Sequence, residues 1–178
     1  MKKQIRYGVY ETNSSSCHTI AVSFKDITEH LSFKALHENQ SWDYDGNKNN
    51  IDTVELAFGE YGWGPDTVYG EIDKTKYLLT MVGMLENFKN EEEFYQTEGF
   101  KAINEVIKEK TPYNNGIKMT NKSFNNNSWD HFIDGYIDHQ SSTDDYKSLQ
   151  DFCEKNNITV EEFIFNPEVF VMVDNDNY

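Results

Sequence analysis

Cysteine is almost absent from this chain: Cys17 and Cys153 are the two thiols among 178 residues. Two thiols cannot build the disulfide framework that holds small secreted domains together, so both are expected to stay reduced and neither to be catalytic. Proline is nearly as scarce, at three, and glycine is modest, at ten. That leaves no Pro-rich or Gly-rich linker and no low-complexity tract, and residues 1–178 are expected to form one domain. No apolar run approaches the roughly 20 residues of a membrane span. The opening stretch MKKQIRYGVYETNSSS lacks the apolar core of a secretory signal. The expectation is a cytoplasmic protein with no membrane partner.

Positive charge is the next shortage. Sixteen Lys and Arg face 31 Asp and Glu, a net charge of -15. The imbalance begins late: residues 1–40 carry five basic and four acidic side chains, whereas 41–178 carry eleven and twenty-seven. A field of this sign repels nucleic acid and anionic membranes and attracts basic protein surfaces. Direct nucleic-acid binding is therefore not expected, and a protein with a basic surface is the expected partner. The function class is a binding protein before an enzyme.

Aromatic residues are what the chain has in excess, at 15%, with twelve Phe, eleven Tyr and three Trp, while apolar residues in total reach only 37%. Acid-rich disordered chains lack aromatics, so this composition predicts a folded domain whose core is built largely from rings. Tyr and Trp also serve as interface anchors, which suits an acidic recognition surface.

The hydrophobic periodicity predicts α+β. Residues 5–10 and 18–24 alternate as strands, with Ile20, Val22 and Phe24 on one face. A loose helix over 26–39 would take Asp26 as N-cap. Residues 53–58 read as a strand. Residues 59–70, punctuated by glycines, read as a loop without regular structure. Residues 74–88 form the strongest helix, with Tyr77, Leu78, Met81, Val82, Leu85 and Phe88 in one stripe. A second helix is predicted over 91–110, capped by Asn90 and stopped by Thr111-Pro112. Residues 116–120 read as a strand, and 129–139 and 145–156 as helices. Thr159 and Glu162 form a capping box before a short helix. The apolar run 169–173 closes the chain as a central strand. The expected architecture is a mixed or antiparallel sheet holding the N-terminal strands and the C-terminal strand, with four to five helices.

The segment Val9-Tyr-Glu-Thr-Asn-Ser-Ser-Ser-Cys-His-Thr-Ile20 places five short hydrogen-bonding side chains between two strands. Such residues bond their own backbone and fix tight turns. The same hydroxyl and N–H groups can also face an anion such as phosphate, although neither a P-loop nor a GxGxxG motif accompanies them. This opening resembles that of small proteins encoded by tailed bacteriophages of Gram-positive bacteria, and the stretch Phe58-Gly-Glu-Tyr-Gly-Trp-Gly64 is similar to a second shared segment. The resemblance implies a phage-associated origin, hence a bacterial host cell as the location, and no particular activity.

Three candidate sites follow. Ser16, His18 and Glu11 are the candidates for nucleophile, base and orienting carboxylate, and segment 12–18 is the candidate centre of a small enzyme or a nucleotide or ADP-ribose binder. Glu60, Tyr61, Trp63 and Asp66 form an aromatic-acidic patch expected to project from the glycine-punctuated loop. Asp130, Asp134 and Asp138 recur every four residues, so a helix over 129–139 would stack them on one face about 5.4 Å apart, with Asp144 and Asp145 extending the patch, as Glu91, Glu92 and Glu93 do if they fold nearby. Such a row can imitate DNA phosphates or engage a basic groove. His131 and His139 lie near it, but the spacing matches no metal motif, and neither metal nor cofactor is expected.

The combined expectation is an acidic, phage-encoded binding protein that inhibits a host defence or nucleic-acid-handling protein. A small enzyme on segment 12–18 and a virion or assembly component are the alternatives. The oligomeric state is open, a homodimer being compatible.

Overall fold

A fifteen-residue helix that is apolar on more than one face must be wrapped by the rest of the chain. That helix is α2 (Glu71–Leu85), in which Ile72, Tyr77, Leu78, Leu79, Met81 and Val82 are all buried, together with Lys74, Thr75 and Thr80. The computed structural model describes residues 17–22, 32–42, 49–62, 66–124, 132–138 and 145–174. Within them, in chain order, lie β1 (Cys17–Val22), α1 (Phe33–Gln40), β2 (Thr53–Leu56), β3 (Glu60–Tyr61), β4 (Asp66–Val68), α2, α3 (Glu91–Phe94), α4 (Glu98–Lys110), β5 (Gly116–Met119), β6 (Tyr136–Ile137), α5 (Leu149–Asn156), α6 (Val160–Phe165) and β7 (Val169–Asp174).

The fold class is α+β, as the periodicity predicts. The strands form three small sheets among the described residues. β7 is the central strand of the first, antiparallel to both β1 and β4. Its position follows from its composition, since Val169 and Val171 are buried. The expected union of an N-terminal strand with the C-terminal strand is thus realised by β1, with Ile20 opposite Val171 and Val22 opposite Val169. The strand expected over 5–10 lies outside the described residues. β2 pairs with β5 and β3 with β6, both in parallel.

Several boundaries differ from the sequence reading, each for a local reason. The helix expected over 26–39 is described from Phe33, because Ser32 is extended (φ -81°, ψ 158°) and its side chain accepts from the Ala35 N–H. The Glu71 carboxylate also accepts from the Phe33 N–H at 2.9 Å, fixing α1 to the start of α2. The single helix expected over 91–110 is two. Asn90 caps α3 as predicted, but Thr97 is extended, its hydroxyl accepting from Phe100 N–H and donating to Phe94 C=O, and the chain restarts there as α4. Lys108 and Lys110 close α4 in the last turn, the favourable end of the helix dipole. The helix expected from 145 begins at Leu149, where Ser148 is the cap. The capping box at Thr159 and Glu162 is present in full.

The helix expected over 129–139 is not formed by residues 132–138. Ile133 bridges to Phe124, and β6 pairs with β3, with Tyr136 N–H donating to Gly59 C=O and Asp138 N–H to Tyr61 C=O. The apolar positions 133 and 137 are four apart, a spacing that one helix face and one strand face both satisfy. The extended course brings Gly135 so close to Phe58 and Gly59 that a Cβ there would run into the Phe58 side chain and the Gly59 carbonyl, so this course requires glycine. Residues 59–70 are likewise not wholly irregular, since β3 and β4 lie within them.

Lys74 is the exception in the buried helix. It is 1% exposed, and its Nζ donates to Asn166 C=O at 2.9 Å and Val169 C=O at 3.1 Å, tying the first turn of α2 to the α6–β7 turn. Burial lowers its pKa from 10.5 to about 8, against the opposing pull of the Glu71 charge. Below pH 8 the folded and unfolded chains both hold the proton and the penalty is constant. Between pH 8 and 10.5 the folded chain releases it while the unfolded chain still binds it, so stability rises with pH in that window. Compared with a Lys74→Met variant, the wild type should gain on the order of 2 kcal/mol between pH 8 and pH 10 in denaturant unfolding. Cys153, whose thiol burial pushes up to about 11, titrates in the opposite sense but in both proteins, so it cancels. A difference that stays flat with pH would show Lys74 to be protonated throughout.

Candidate functional site

The projecting aromatic-acidic loop is only partly realised. Glu60 is exposed at the start of β3, but Tyr61 is 8% exposed, its ring 5.1 Å from that of Tyr77 and its hydroxyl donating to Asp73 C=O at 3.3 Å. Tyr61 is therefore a core residue, not a projecting anchor: the alternation of β3 turns it inward as it turns Glu60 outward. Trp63 lies outside the described residues. Asp66 opens β4, opposite Val173.

His18 also stands opposite Val173, from the other side, so His18, Val173 and Asp66 share one row across the first sheet. Glu11 and Ser16 lie outside the described residues, as do Asp130 and Asp144. Asp145 is exposed ahead of α5. Asp134 is exposed and Asp138 half-buried, on the extended segment that ends in β6. Four residues of extended chain span about 13 Å rather than one helical turn, so these two carboxylates do not form a closely stacked row.

What the structure does assemble is a different aromatic-acidic surface. Phe58, Phe88, Phe94, Phe124 and Phe132 pack largely edge to face, Phe58 with Phe94 at 5.3 Å, Phe88 with Phe94 at 5.1 Å and Phe94 with Phe124 at 5.5 Å. Such geometry is favoured by the ring quadrupoles. The cluster is buried at Phe94 and reaches the surface at Phe132, which is 39% exposed while its ring stays 6.2 Å from that of Phe88. Exposed Asp134 follows two residues on. The exposed Glu91, Glu92 and Glu93 begin three residues after Phe88, within about 11 Å of chain. The packing of Phe132 on Phe88 places the exposed ring near the chain that leads, through exposed Lys89, into the acidic start of α3. Sequence reasoning singled out Asp134 and missed Phe132, because a helix over 129–139 would turn Trp129, Phe132, Ile133, Tyr136 and Ile137 inward together. Trp42, 61% exposed, is the other large apolar side chain on the surface of the described residues.

A second feature is an open cleft of about 1340 Å³ between the end of α2 and the N-terminal ends of α4, α5 and α6. Its wall is organised by Glu86, which ends α2. Both oxygens of this carboxylate accept from Gly99 N–H, at 3.1 and 3.2 Å, and it also accepts from the backbone of Leu149 in α5. Burial raises its pKa above the usual carboxylate range, although these N–H donors pull the other way. One side chain thereby satisfies orphan donors on two helices. Cys153 lines the same cleft, half-buried.

Among the described residues no cluster of His, Cys, Asp and Glu is arranged to hold a metal ion, and no helix is long and apolar enough to cross a membrane. Comparison with models of protein families, with curated proteins and with solved structures finds no match.

The approach of Gly135 to Phe58 and Gly59 sets the course of the segment that carries Phe132 and Asp134. Gly135→Ala should destabilise the fold by about 1–3 kcal/mol through overpacking, read as a lowered unfolding midpoint. An unchanged midpoint would show that the segment is free to shift.

Proposed function

We propose that this chain is a phage-encoded acidic binding protein that docks on, and inhibits, a host defence or nucleic-acid-handling protein with a basic surface. The observation that carries the reading is the exposed Phe132, held on a buried aromatic cluster, with exposed Asp134 two residues on and the exposed Glu91, Glu92 and Glu93 following Phe88 along the chain. An exposed aromatic ring fixed by its packing is the kind of anchor that supplies a large share of binding energy. The surrounding carboxylates, in a chain of net charge -15, would steer a basic partner and reject nucleic acid. The reading supported is recognition of a protein surface rather than DNA mimicry, because the helical row of aspartates that mimicry needs is not formed by residues 132–138.

The test is capture from bacterial lysate at low and at high salt, with mass spectrometry of the retained proteins, repeated with Phe132→Ala and Asp134→Lys. One basic protein should be retained stoichiometrically at low salt and released at high salt. Phe132→Ala should weaken its binding by about 2 kcal/mol, roughly 30-fold in Kd, with little change in the unfolding midpoint. Equal retention by wild type and both variants would refute the surface, and no retained protein at either salt would refute the reading.

A further inference from the structure

We infer that the cleft bounded by α2, α4, α5 and α6 is a second docking site, and that its occupant is a basic, amphipathic peptide segment of a protein partner. The cleft is larger than the roughly 300–1,000 Å³ of small-molecule pockets, at about 1340 Å³, and it opens to solvent. Its lining has two parts. Leu85, Ile158 and Val160 supply apolar surface, and the ionisable groups around them are Glu86, Glu98, Glu154 and Glu162 against Lys147 alone.

The helix N-termini that meet here do not make the cleft an anion site. Thr97, Ser148 and Thr159 cap α4, α5 and α6, while Glu86 accepts from Gly99 N–H and Glu162 from Thr159 N–H. The positive ends of the helices are thus already answered by the protein's own groups. Glu98 and Glu154 remain on the rim, exposed to solvent. Glu98 approaches Lys101 only at 3.7 Å, on a side chain 93% exposed, a pairing worth little. An apolar floor lined by four carboxylates to one lysine is complementary to a segment that alternates apolar and Lys or Arg side chains.

This assignment rests on the reading of the chain as a binder of basic proteins, and it is tested apart from it. Cys153 reports on the cleft directly, and Cys17→Ser leaves it as the single thiol of the chain. The probe is a short synthetic peptide alternating leucine and arginine, with a leucine–glutamate peptide as control. At about ten times its Kd the basic peptide should slow maleimide labelling of Cys153 about tenfold. The protection should fall with added salt, and the acidic peptide should give none. Glu98→Lys combined with Glu154→Lys should abolish the protection, while Glu38→Lys on α1 leaves it intact. Binding of the basic peptide without protection of Cys153, or equal protection by the acidic peptide, would overturn the assignment. So would protection that grows with protein concentration and needs no peptide, which would give the cleft to a second copy of this chain. If Phe132→Ala loses the captured protein while Cys153 is never protected, the cleft assignment falls alone. If Cys153 is protected while nothing is captured from lysate, the cleft stands and the inhibitor reading falls.

Discussion

The constraint on which the rest of this structure depends is the burial of α2 on nearly all sides. A helix with Tyr77, Leu78, Leu79, Met81 and Val82 all buried cannot lie on a surface, so the other elements are arranged to cover it. α4, α5, α6, β4 and β6 all pack against it. Its two ends are where polar groups must be satisfied, and each end uses a charged side chain to do so. At the start, Glu71 holds α1 and Lys74 holds the α6–β7 turn. At the end, Glu86 holds the first turns of α4 and α5. Charged residues at the boundaries of a buried helix thus fix the placement of the elements around it. Burying such groups is tolerable only because their donors and acceptors are met.

Much of this was readable from the residues and some was not, for identifiable reasons. Caps at Asn90, Thr159 and Glu162 stand where the side-chain chemistry puts them, and β7 is central because an unbroken apolar run suits a strand covered on both faces. The inner face of α2 was legible, but its full burial was not: a stripe that includes Leu78 and Val82 says nothing about Leu79, Thr75 or Thr80, which tertiary packing buries. The break between α3 and α4 was signalled only by Thr97, a residue tolerated inside helices as well as at their caps. The segment 132–138 shows the deeper ambiguity. Isoleucines four apart fit both periods, and the strand is held by long-range contacts, the pairing with β3 and the Phe124–Ile133 bridge, on a course that has room only for glycine at 135. That error also moved the functional argument, since it hid Phe132 inside and stacked Asp134 with Asp138.

The candidate surface shows the same dependence. Composition said that rings would build the core and that carboxylates would cover the outside. It could not say where the two meet. They meet where the aromatic cluster, buried at Phe94, runs out to the surface at Phe132, two residues before Asp134 and packed on Phe88, which leads into the acidic start of α3. No local pattern encodes that meeting, because Phe88 and Phe132 are brought together by β6 pairing with β3 and by Phe124 bridging to Ile133.

A net charge of -15 also acts on the fold itself. Like charges crowded on a small surface repel, which favours expansion of the chain. The described ion pairs relieve little of this, because they are exposed: Lys108 with Glu105, Lys110 with Glu161 and Lys118 with Glu55 all lie at the surface. Added salt screens the internal repulsion and so strengthens the fold, while the same screening weakens attraction to a basic partner. The two effects have opposite signs. A complex lost at high salt is therefore lost from its interface and not through unfolding of this chain, and the acidic surface that makes the isolated fold less stable is the one a basic partner would neutralise.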